Sequence, residues 1–162
     1  MSASNLRVVF VCTGNTCRSP MAEGLFREAA GALEDVEVQS AGIAAHPGGP
    51  ASRDTIALLR ERGIELDGFQ SRMVDEAILS RASHVFCMTR GHLETLEMLY
   101  PEFTTKYSLV CDFTEIEGRV GRDVPDPIGQ GRKAYERVAE CLDRAIVGIL
   151  GFLQVERGRN AG

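Results

Sequence analysis

The sequence predicts an α/β protein built on a four-stranded parallel sheet with helices on both faces. Two observations carry this prediction. Four short apolar runs alternate along the chain with longer segments in which apolar residues recur at helical spacing. The first run, Val8-Val9-Phe10-Val11, is apolar at every position, as is typical of a strand buried on both faces. A chain of 162 residues without repeats or linkers suits a single domain over residues 1–162.

The strands are predicted where β-branched and aromatic residues cluster. They fall at 6–11, 36–40, 84–88 and 107–111. The first of them is expected at the centre of the sheet, and a phosphate-binding loop is expected directly after it. Residues 1–5 and 157–162 are expected to be mobile tails.

The helices are predicted where apolar residues recur three or four positions apart. They fall at 19–33, 51–62, 74–79, 90–99 and from near 131 to 155. Ser19 is the expected N-cap of the first helix, with Pro20 in its first turn. Gly63 is expected to stop the second helix. A long polar loop, 112–130, precedes the last helix.

Composition excludes several classes of function. The net charge of −5 disfavours nucleic acid and anionic membranes as partners. No apolar run approaches the roughly 20 residues of a membrane span, and no signal peptide opens the chain, so a cytoplasmic location is expected. Five cysteines, an odd number, make a poor disulfide framework. No Cys-x2-Cys pair is present, so neither a metal nor another cofactor is expected.

Three of the cysteines and all three histidines are not expected to take part in chemistry. Cys87, Cys111 and Cys141 stand within apolar patterns and are expected to be small buried hydrophobic residues. His92 and the other histidines are expected at the surface.

The most informative stretch is Cys12-x5-Arg18-Ser19, between the first strand and the first helix. Backbone N–H groups of such a loop surround an anion of phosphate size, and an arginine guanidinium clamps two of its oxygens. The same positive surroundings favour the reactive thiolate of Cys12. Ser19 is expected to donate a hydrogen bond to that thiolate. The amides are expected from the residues between: Thr13, Gly14, Asn15, Thr16 and Cys17.

A left-handed backbone is needed to turn such amides inward. Gly14, and Asn15 beside it, are the residues of this loop that tolerate a positive φ.

Transfer of a phosphoryl group to sulfur also needs an acid for the leaving group. The loop before the last helix contains Asp123-Val124-Pro125-Asp126-Pro127, in which two prolines stiffen the backbone. This loop follows the fourth strand and so reaches the same edge of the sheet as Cys12. Asp126 is the candidate general acid, and the general base for water in a second step. Asp123 is the alternative.

The chain resembles the low-molecular-weight protein tyrosine phosphatase family over nearly its whole length. The resemblance rests on four segments, which are residues 12–20, Ser40-Ala41-Gly42, Cys87-Met88-Thr89 and Asp126-Pro127. It implies a cysteine-dependent phosphoprotein phosphatase with a cysteinyl-phosphate intermediate and no metal. Cys12 is then the nucleophile, Arg18 the phosphate clamp and Asp126 the acid.

The resemblance also implies local roles around the loop. Asn15, Ser19 and Ser40 would form a hydrogen-bond network that shapes it, although Ser40 could also simply end its strand. Cys17 could supply only an amide, or it could form a reversible disulfide with Cys12. Many members have a supporting histidine where this chain has Gly68-Phe69.

Two features look like the bacterial protein-arginine phosphatase branch. Thr16 stands where many tyrosine-specific members have isoleucine, and its hydroxyl can hydrogen-bond a guanidinium nitrogen or help position water. Ile128-Gly129-Gln130 follows Asp126-Pro127 where those members have tyrosines that flank an aryl ring. The predicted substrate is therefore phosphoarginine in a protein, with inorganic phosphate as the expected product.

Three alternatives remain. They are a phosphotyrosine phosphatase, a thiol-dependent arsenate reductase and a non-catalytic anion-binding module. The reductase chemistry needs two further cysteines close together after the third strand, and Cys87 has no near neighbour in the sequence.

Overall fold

A computed structural model describes residues 5–31 and 33–161. The predicted N-terminal tail lies outside the described residues except for Asn5, and Gly162 of the C-terminal tail also lies outside them. Within the described part of the chain, no helix is both long and apolar enough to cross a membrane.

Within the described residues, four parallel strands form one sheet, which confirms the predicted fold class. They are β1 (Leu6–Cys12), β2 (Val36–Gly42), β3 (His84–Cys87) and β4 (Tyr107–Leu109). The strand order is β2-β1-β3-β4, so β1 is central as predicted. The register places Cys12 beside Gly42 of β2, and Val11 beside Cys87 of β3. Cys12 therefore stands at the carboxyl edge of the sheet, where ligands bind in folds of this class.

In the part of the chain that the structure describes, five α-helices connect and cover the strands. They are α1 (Arg18–Ala29), α2 (Arg53–Glu61), α3 (Glu76–Arg81), α4 (Arg90–Leu99) and α5 (Arg132–Ala161). Two 3₁₀ segments, Pro101–Lys106 and Val110–Phe113, flank β4 and were not predicted from the sequence.

The sheet is buried on both faces because strand residues point alternately to two separate cores. Val8 and Phe10 belong to the core that is covered by α1, α2 and α5. Val9 and Val11 belong to the core covered by α3 and α4. This alternation explains why the first strand is apolar at every position.

Several predicted boundaries differ from the structure. α1 ends at Ala29 rather than near residue 33, since Ala30 leaves the helical conformation at φ −89° and ψ 5°. The N-cap of α1 is Cys17 and not Ser19, which is buried inside the first turn. β4 stops at Leu109, because its amide donates to the Asp112 carboxylate, 2.8 Å away, as the chain turns into a 3₁₀ segment.

The last helix also continues beyond its predicted end at residue 155 and reaches Ala161. Long-range contacts hold its final turns, and such contacts cannot be predicted from the spacing of apolar residues. Glu156 Oε1 lies 2.7 Å from His84 Nε2, and Arg157 donates to the backbone oxygen of Glu34 at 3.0 Å.

Candidate active site

The loop between β1 and α1 turns its carbonyl groups away from its interior. The segment between β2 and α2 donates to them from behind: Ile43 N to Cys12 O at 3.0 Å, Ala44 N to Thr13 O at 2.9 Å and Ser52 N to Thr16 O at 2.8 Å. No acceptor within residues 5–31 and 33–161 engages the amides of residues 13–17. The loop thus offers a set of unused backbone donors around Cys12, as an anion site requires.

The turn of this loop depends on Asn15. Its φ is +56°, in the left-handed region. Gly14 does not share that conformation, so the expectation of a positive φ at Gly14 is wrong. Asn15 is held there by its own side chain, because its Oδ1 accepts from the backbone N of Arg72 at 3.0 Å. The stabilising contact is long-range, since Arg72 lies 57 positions later in the chain, and asparagine is one of the few residues other than glycine that adopt this conformation.

Gly42 is the second backbone requirement of the loop. A Cβ at this position would lie 2.5 Å from Thr13 O and 2.9 Å from Asn15 N. The end of β2 can therefore approach the loop only because residue 42 has no side chain.

Cys12 opens a chain of buried polar side chains. Its Sγ lies 2.9 Å from Ser19 Oγ, and Asn15 Nδ2 donates to both Ser19 Oγ and Ser40 Oγ, each at 2.9 Å. The contacts expected among Asn15, Ser19 and Ser40 are therefore present. Ser40 does not end its strand, since β2 continues to Gly42.

The chain of contacts ends on a buried carboxylate that the sequence reasoning missed. Ser40 Oγ donates to Glu23 Oε1 at 2.8 Å, and Arg27 pairs with Glu23 Oε2 at 3.1 Å. Glu23 is an acidic residue on the apolar face of α1, and that placement is the sequence signal that could have identified it. Through Ser40, Glu23 supports the phosphate loop. Many family members have a supporting histidine for this loop, whereas this chain has Gly68-Phe69 at that position.

Arg18 brings the two predicted halves of the site together. Its side chain is only 6% exposed, and its Nη2 lies 3.8 Å from Asp126 Oδ2. The Asp126 side chain is half exposed, and its Oδ1 accepts from Ile128 N at 3.1 Å. Asp123 is engaged differently, because its Oδ1 accepts from the backbone N of Arg90 at 2.8 Å. The geometry therefore favours Asp126 over Asp123 as the acid.

His92 is a further member of the site, and its predicted place at the surface is wrong. Only 5% of the residue is exposed, and its Nε2 lies 2.8 Å from Thr13 Oγ1. Burial, together with the nearby Arg18 guanidinium, lowers the pKa of His92 to about 4. The imidazole is thus neutral at neutral pH. Its position three residues after the N-cap of α4 gave no signal in the sequence.

The remaining loop residues divide into exposed and buried. Thr13 is exposed, whereas Thr16 is half-buried. The Thr16 hydroxyl lies 3.6 Å from Cys17 Sγ, and a Cβ on Gly14 would lie 3.7 Å from the same oxygen. Cys17 is buried, and its Sγ contacts the hydroxyl of Tyr135 in α5 at 3.3 Å. Tyr135 was not anticipated from the sequence.

All five cysteines are free thiols in the structure. Cys87 belongs to the core beneath α3 and α4, and burial strongly raises the pKa of its thiol. Cys111 lies in the opposite core beside Cys141. Cys87 therefore has no neighbouring thiol of the kind that arsenate reduction needs. Among the described residues, no three His, Cys, Asp or Glu side chains converge as metal ligands would.

Comparisons with known proteins agree with this geometry. A family model described as low molecular weight phosphotyrosine protein phosphatase matches residues 7–159. The chain is 38% identical over 151 residues to a protein-arginine-phosphatase of Geobacillus stearothermophilus, covering 93% of this chain and 98% of that protein. It is 39% identical over 163 residues to a low molecular weight protein-tyrosine-phosphatase of Streptomyces coelicolor, covering 96% and 98%.

A solved structure extends the comparison to three dimensions. The YwlE arginine phosphatase from Geobacillus stearothermophilus superposes with a TM-score of 0.84 at 36% sequence identity. The match covers 95% of this chain and 96% of that one.

Proposed function

The chain belongs to the low molecular weight phosphotyrosine protein phosphatase family of cysteine-dependent protein phosphatases, and on that premise we propose that it dephosphorylates phosphoarginine in proteins. Cys12 is the nucleophile, Arg18 the phosphate clamp and Asp126 the general acid and base. The unused amides of residues 13–17 around Cys12 are the observation that carries the phosphatase chemistry. Thr16 is the residue on which the proposal of phosphoarginine over phosphotyrosine rests.

The first step transfers the phosphoryl group to sulfur. The Cys12 thiolate attacks phosphorus, the bond from phosphorus to the guanidine nitrogen breaks, and Asp126 donates a proton to that nitrogen. The loop amides and Arg18 stabilise the charge on the three phosphoryl oxygens. Ser19, 2.9 Å from Cys12 Sγ, donates a hydrogen bond that favours the thiolate.

The second step releases inorganic phosphate. Asp126, now a carboxylate, takes a proton from water, whose oxygen attacks phosphorus. The phosphorus–sulfur bond breaks, and Cys12 returns to the thiolate that Ser19 stabilises. Half of the Asp126 side chain is exposed, which leaves room for water beside the carboxylate.

Thr16 supports a guanidine leaving group. Thr16 is a half-buried residue of the loop, and its hydroxyl can accept a hydrogen bond from a guanidinium N–H of the substrate. An isoleucine at this place would offer no acceptor, and a site built to hydrogen-bond a substrate discriminates more strongly than an apolar one.

Phosphotyrosine is the second candidate substrate, and a specific observation favours it as well. The chain is about as similar to the tyrosine phosphatase of Streptomyces coelicolor as to the arginine phosphatase of Geobacillus stearothermophilus. Against it stands the segment 128–131, directly after Pro127, which contains no aromatic side chain to stack on a phenyl ring and in which Ile128 is 60% exposed.

Paired peptides separate the two substrates. We expect wild-type kcat/KM to be at least ~10-fold higher for a phosphoarginine peptide than for a phosphotyrosine peptide of the same flanking sequence. Thr16→Ile should lower this ratio by at least ~10-fold, a differential of about 1.4 kcal/mol. Thr104→Ile is the matched control, because Thr104 is exposed in a 3₁₀ segment that precedes β4, away from the site. A wild-type preference for phosphotyrosine that Thr16→Ile leaves unchanged would overturn the assignment.

A further inference from the structure

Two cysteines outside the phosphate loop lie in contact. Cys111 Sγ is 3.9 Å from Cys141 Sγ, although the two residues are 30 positions apart. Cys111 belongs to the 3₁₀ segment Val110–Phe113 and Cys141 to α5. Both are free thiols within the core on the α5 side of the sheet.

The pair is reachable from solvent through Cys141. Whereas Cys111 is fully buried, Cys141 is 7% exposed. It lines a cavity of about 400 Å³ between α5 and the loop that carries Asp126. Three arginines also line this cavity: Arg122, Arg137 and Arg144. A small uncharged molecule can therefore reach one sulfur of the pair.

The surroundings favour a thiolate at Cys141. A hydrogen bond from Cys111 lowers the pKa of Cys141 to about 7, and the positive charges of Arg122 and Arg144 act in the same direction against burial and Glu117. The same hydrogen bond and burial raise the pKa of Cys111, which remains the thiol of the pair. One nucleophilic sulfur beside one resolving thiol is the arrangement that peroxide-sensitive sites use.

We propose that Cys111 and Cys141 form a modification site, a dithiol that hydroperoxides convert to a disulfide. Cys141 is the sulfur that meets the oxidant and Cys111 is the sulfur that resolves it. The site lies apart from the phosphate loop and uses neither Cys12 nor Cys17.

The reaction balances with hydrogen peroxide as the oxidant. The Cys141 thiolate attacks one peroxide oxygen, the oxygen–oxygen bond breaks, and Cys141 becomes a sulfenic acid while hydroxide leaves. Cys111 sulfur then attacks the Cys141 sulfur. The sulfur–sulfur bond forms, the sulfur–oxygen bond breaks, and water leaves with the proton of Cys111. Both sulfurs are oxidised, and the two peroxide oxygens are reduced.

The bond would join the origin of the Asp126 loop to α5. The sulfurs have to approach by about 2 Å, since a disulfide bond is ~2.05 Å long. The backbone oxygen of Cys111 accepts from Gly121 N at 2.8 Å, so the residue also anchors the loop that leads to Asp126. A crosslink that closes a loop of this length is expected to raise the midpoint of thermal unfolding by ~5–10 °C.

Trypsin divides the five cysteines among four peptides. Cys12 and Cys17 remain together in peptide 8–18, Cys87 lies in 82–90, Cys111 in 107–119 and Cys141 in 138–144. The full-length protein is treated with dilute hydrogen peroxide, remaining thiols are alkylated, and the digest is analysed by mass spectrometry without reduction. We expect a crosslinked species of peptides 107–119 and 138–144 that a reducing agent splits.

Variants decide whether the pair is the site. Cys111→Ser and Cys141→Ser should each abolish the crosslinked peptide and the rise in the unfolding midpoint, whereas Cys87→Ala should retain both. In Cys111→Ser, the sulfenic acid on Cys141 should persist long enough to react with a dimedone-type probe. The proposal is overturned if peroxide leaves Cys111 and Cys141 alkylatable while peptide 8–18 is oxidised. A crosslink of either cysteine to another thiol would overturn it equally.

Discussion

Arg18 donates a hydrogen bond from Nη1 to the backbone oxygen of Val124, 3.1 Å away and 106 residues later in the chain. One guanidinium therefore borders the phosphate loop and also fixes the segment that carries Asp126. Val124 is held from its other side, because its amide donates to Met88 O at 2.9 Å. The position of Asp126, the proposed acid, thus depends on the same side chain that is proposed to clamp the phosphate.

Arg18→Lys tests whether the positive charge at residue 18 is sufficient or whether the fork-shaped guanidinium is required. Lysine retains the positive charge, but it is a single point donor that cannot bind phosphate oxygens in a fork and hold Val124 O at the same time. We expect kcat/KM to fall by at least ~10²-fold. We also expect faster hydrogen exchange in residues 120–131, measured by mass spectrometry. Exchange that matches wild type in this segment would show that Arg18 does not hold the loop.

Asp126→Asn and Asp123→Asn should differ sharply. An amide at residue 126 cannot supply a proton to the leaving group, so kcat should fall by ~10²–10⁴-fold for substrates with basic leaving groups. An amide at residue 123 still accepts from Arg90 N through its carbonyl oxygen, so kcat should change by less than ~3-fold. Steady-state kinetics with both variants tests the assignment, and the reverse ranking would make Asp123 the acid.

His92 should make stability depend on pH. Its pKa is lowered from 6.5 to about 4 by burial, with Arg18 acting in the same direction and Asp123 and Asp126 acting against them. Between these values the unfolded chain binds more protons at this residue than the folded chain does. The free energy of unfolding therefore falls as pH falls, by up to ~1.4 kcal/mol per pH unit. Above pH 6.5 the imidazole is neutral in both the folded and the unfolded chain, so its contribution to the free energy of unfolding no longer changes with pH.

Urea denaturation at pH 7 and pH 5 measures this dependence. Relative to wild type, His92→Gln should lose ~1–2 kcal/mol less stability between the two pH values, because glutamine does not titrate. His46→Gln should behave like wild type, since His46 is exposed. Equal losses in wild type and His92→Gln would mean that the imidazole is not kept neutral by its surroundings.

Glu23→Ala should destabilise the fold and the loop together. It removes the acceptor of the buried Ser40 hydroxyl and the partner of Arg27, which costs ~1–3 kcal/mol. Glu28→Ala is the matched control on the same helix. Because the Glu28 carboxylate is exposed, its removal should change the free energy of unfolding by less than ~0.5 kcal/mol. Glu23→Gln keeps an acceptor and should recover most of the loss. Chemical denaturation and kcat report the two effects, and a Glu23→Ala variant as stable as Glu28→Ala would contradict this role.

Cys12, Arg18 and the parallel sheet were predictable because their signals are local. Cys12 and Arg18 are joined by one short loop, and the alternation of strands and helices determines which edge of the sheet that loop occupies. Asp126 was placed by the same argument, since it follows the last strand.

Glu23, His92 and Tyr135 were not predicted because their roles depend on how helices face the loop. Each stands on a helix whose rotation about its own axis is set by packing against the sheet. A periodic pattern can reveal a polar residue on an apolar face, such as Glu23, but it does not show which loop that residue reaches. The capping error at Ser19 has a similar origin, since the hydroxyl contacts Cys12 rather than the end of its own helix.

The most direct measurement is the identity of the phosphorylated residue during turnover. A phosphoarginine peptide is mixed with the protein, the reaction is quenched within milliseconds, and tryptic peptides are analysed by mass spectrometry under conditions that preserve phosphocysteine. We expect peptide 8–18 to carry one phosphoryl group on Cys12, and we expect Cys12→Ser to release no phosphate from the substrate. Phosphate release by Cys12→Ser at the wild-type rate, or a phosphoryl group on another residue of the wild-type protein, would contradict it.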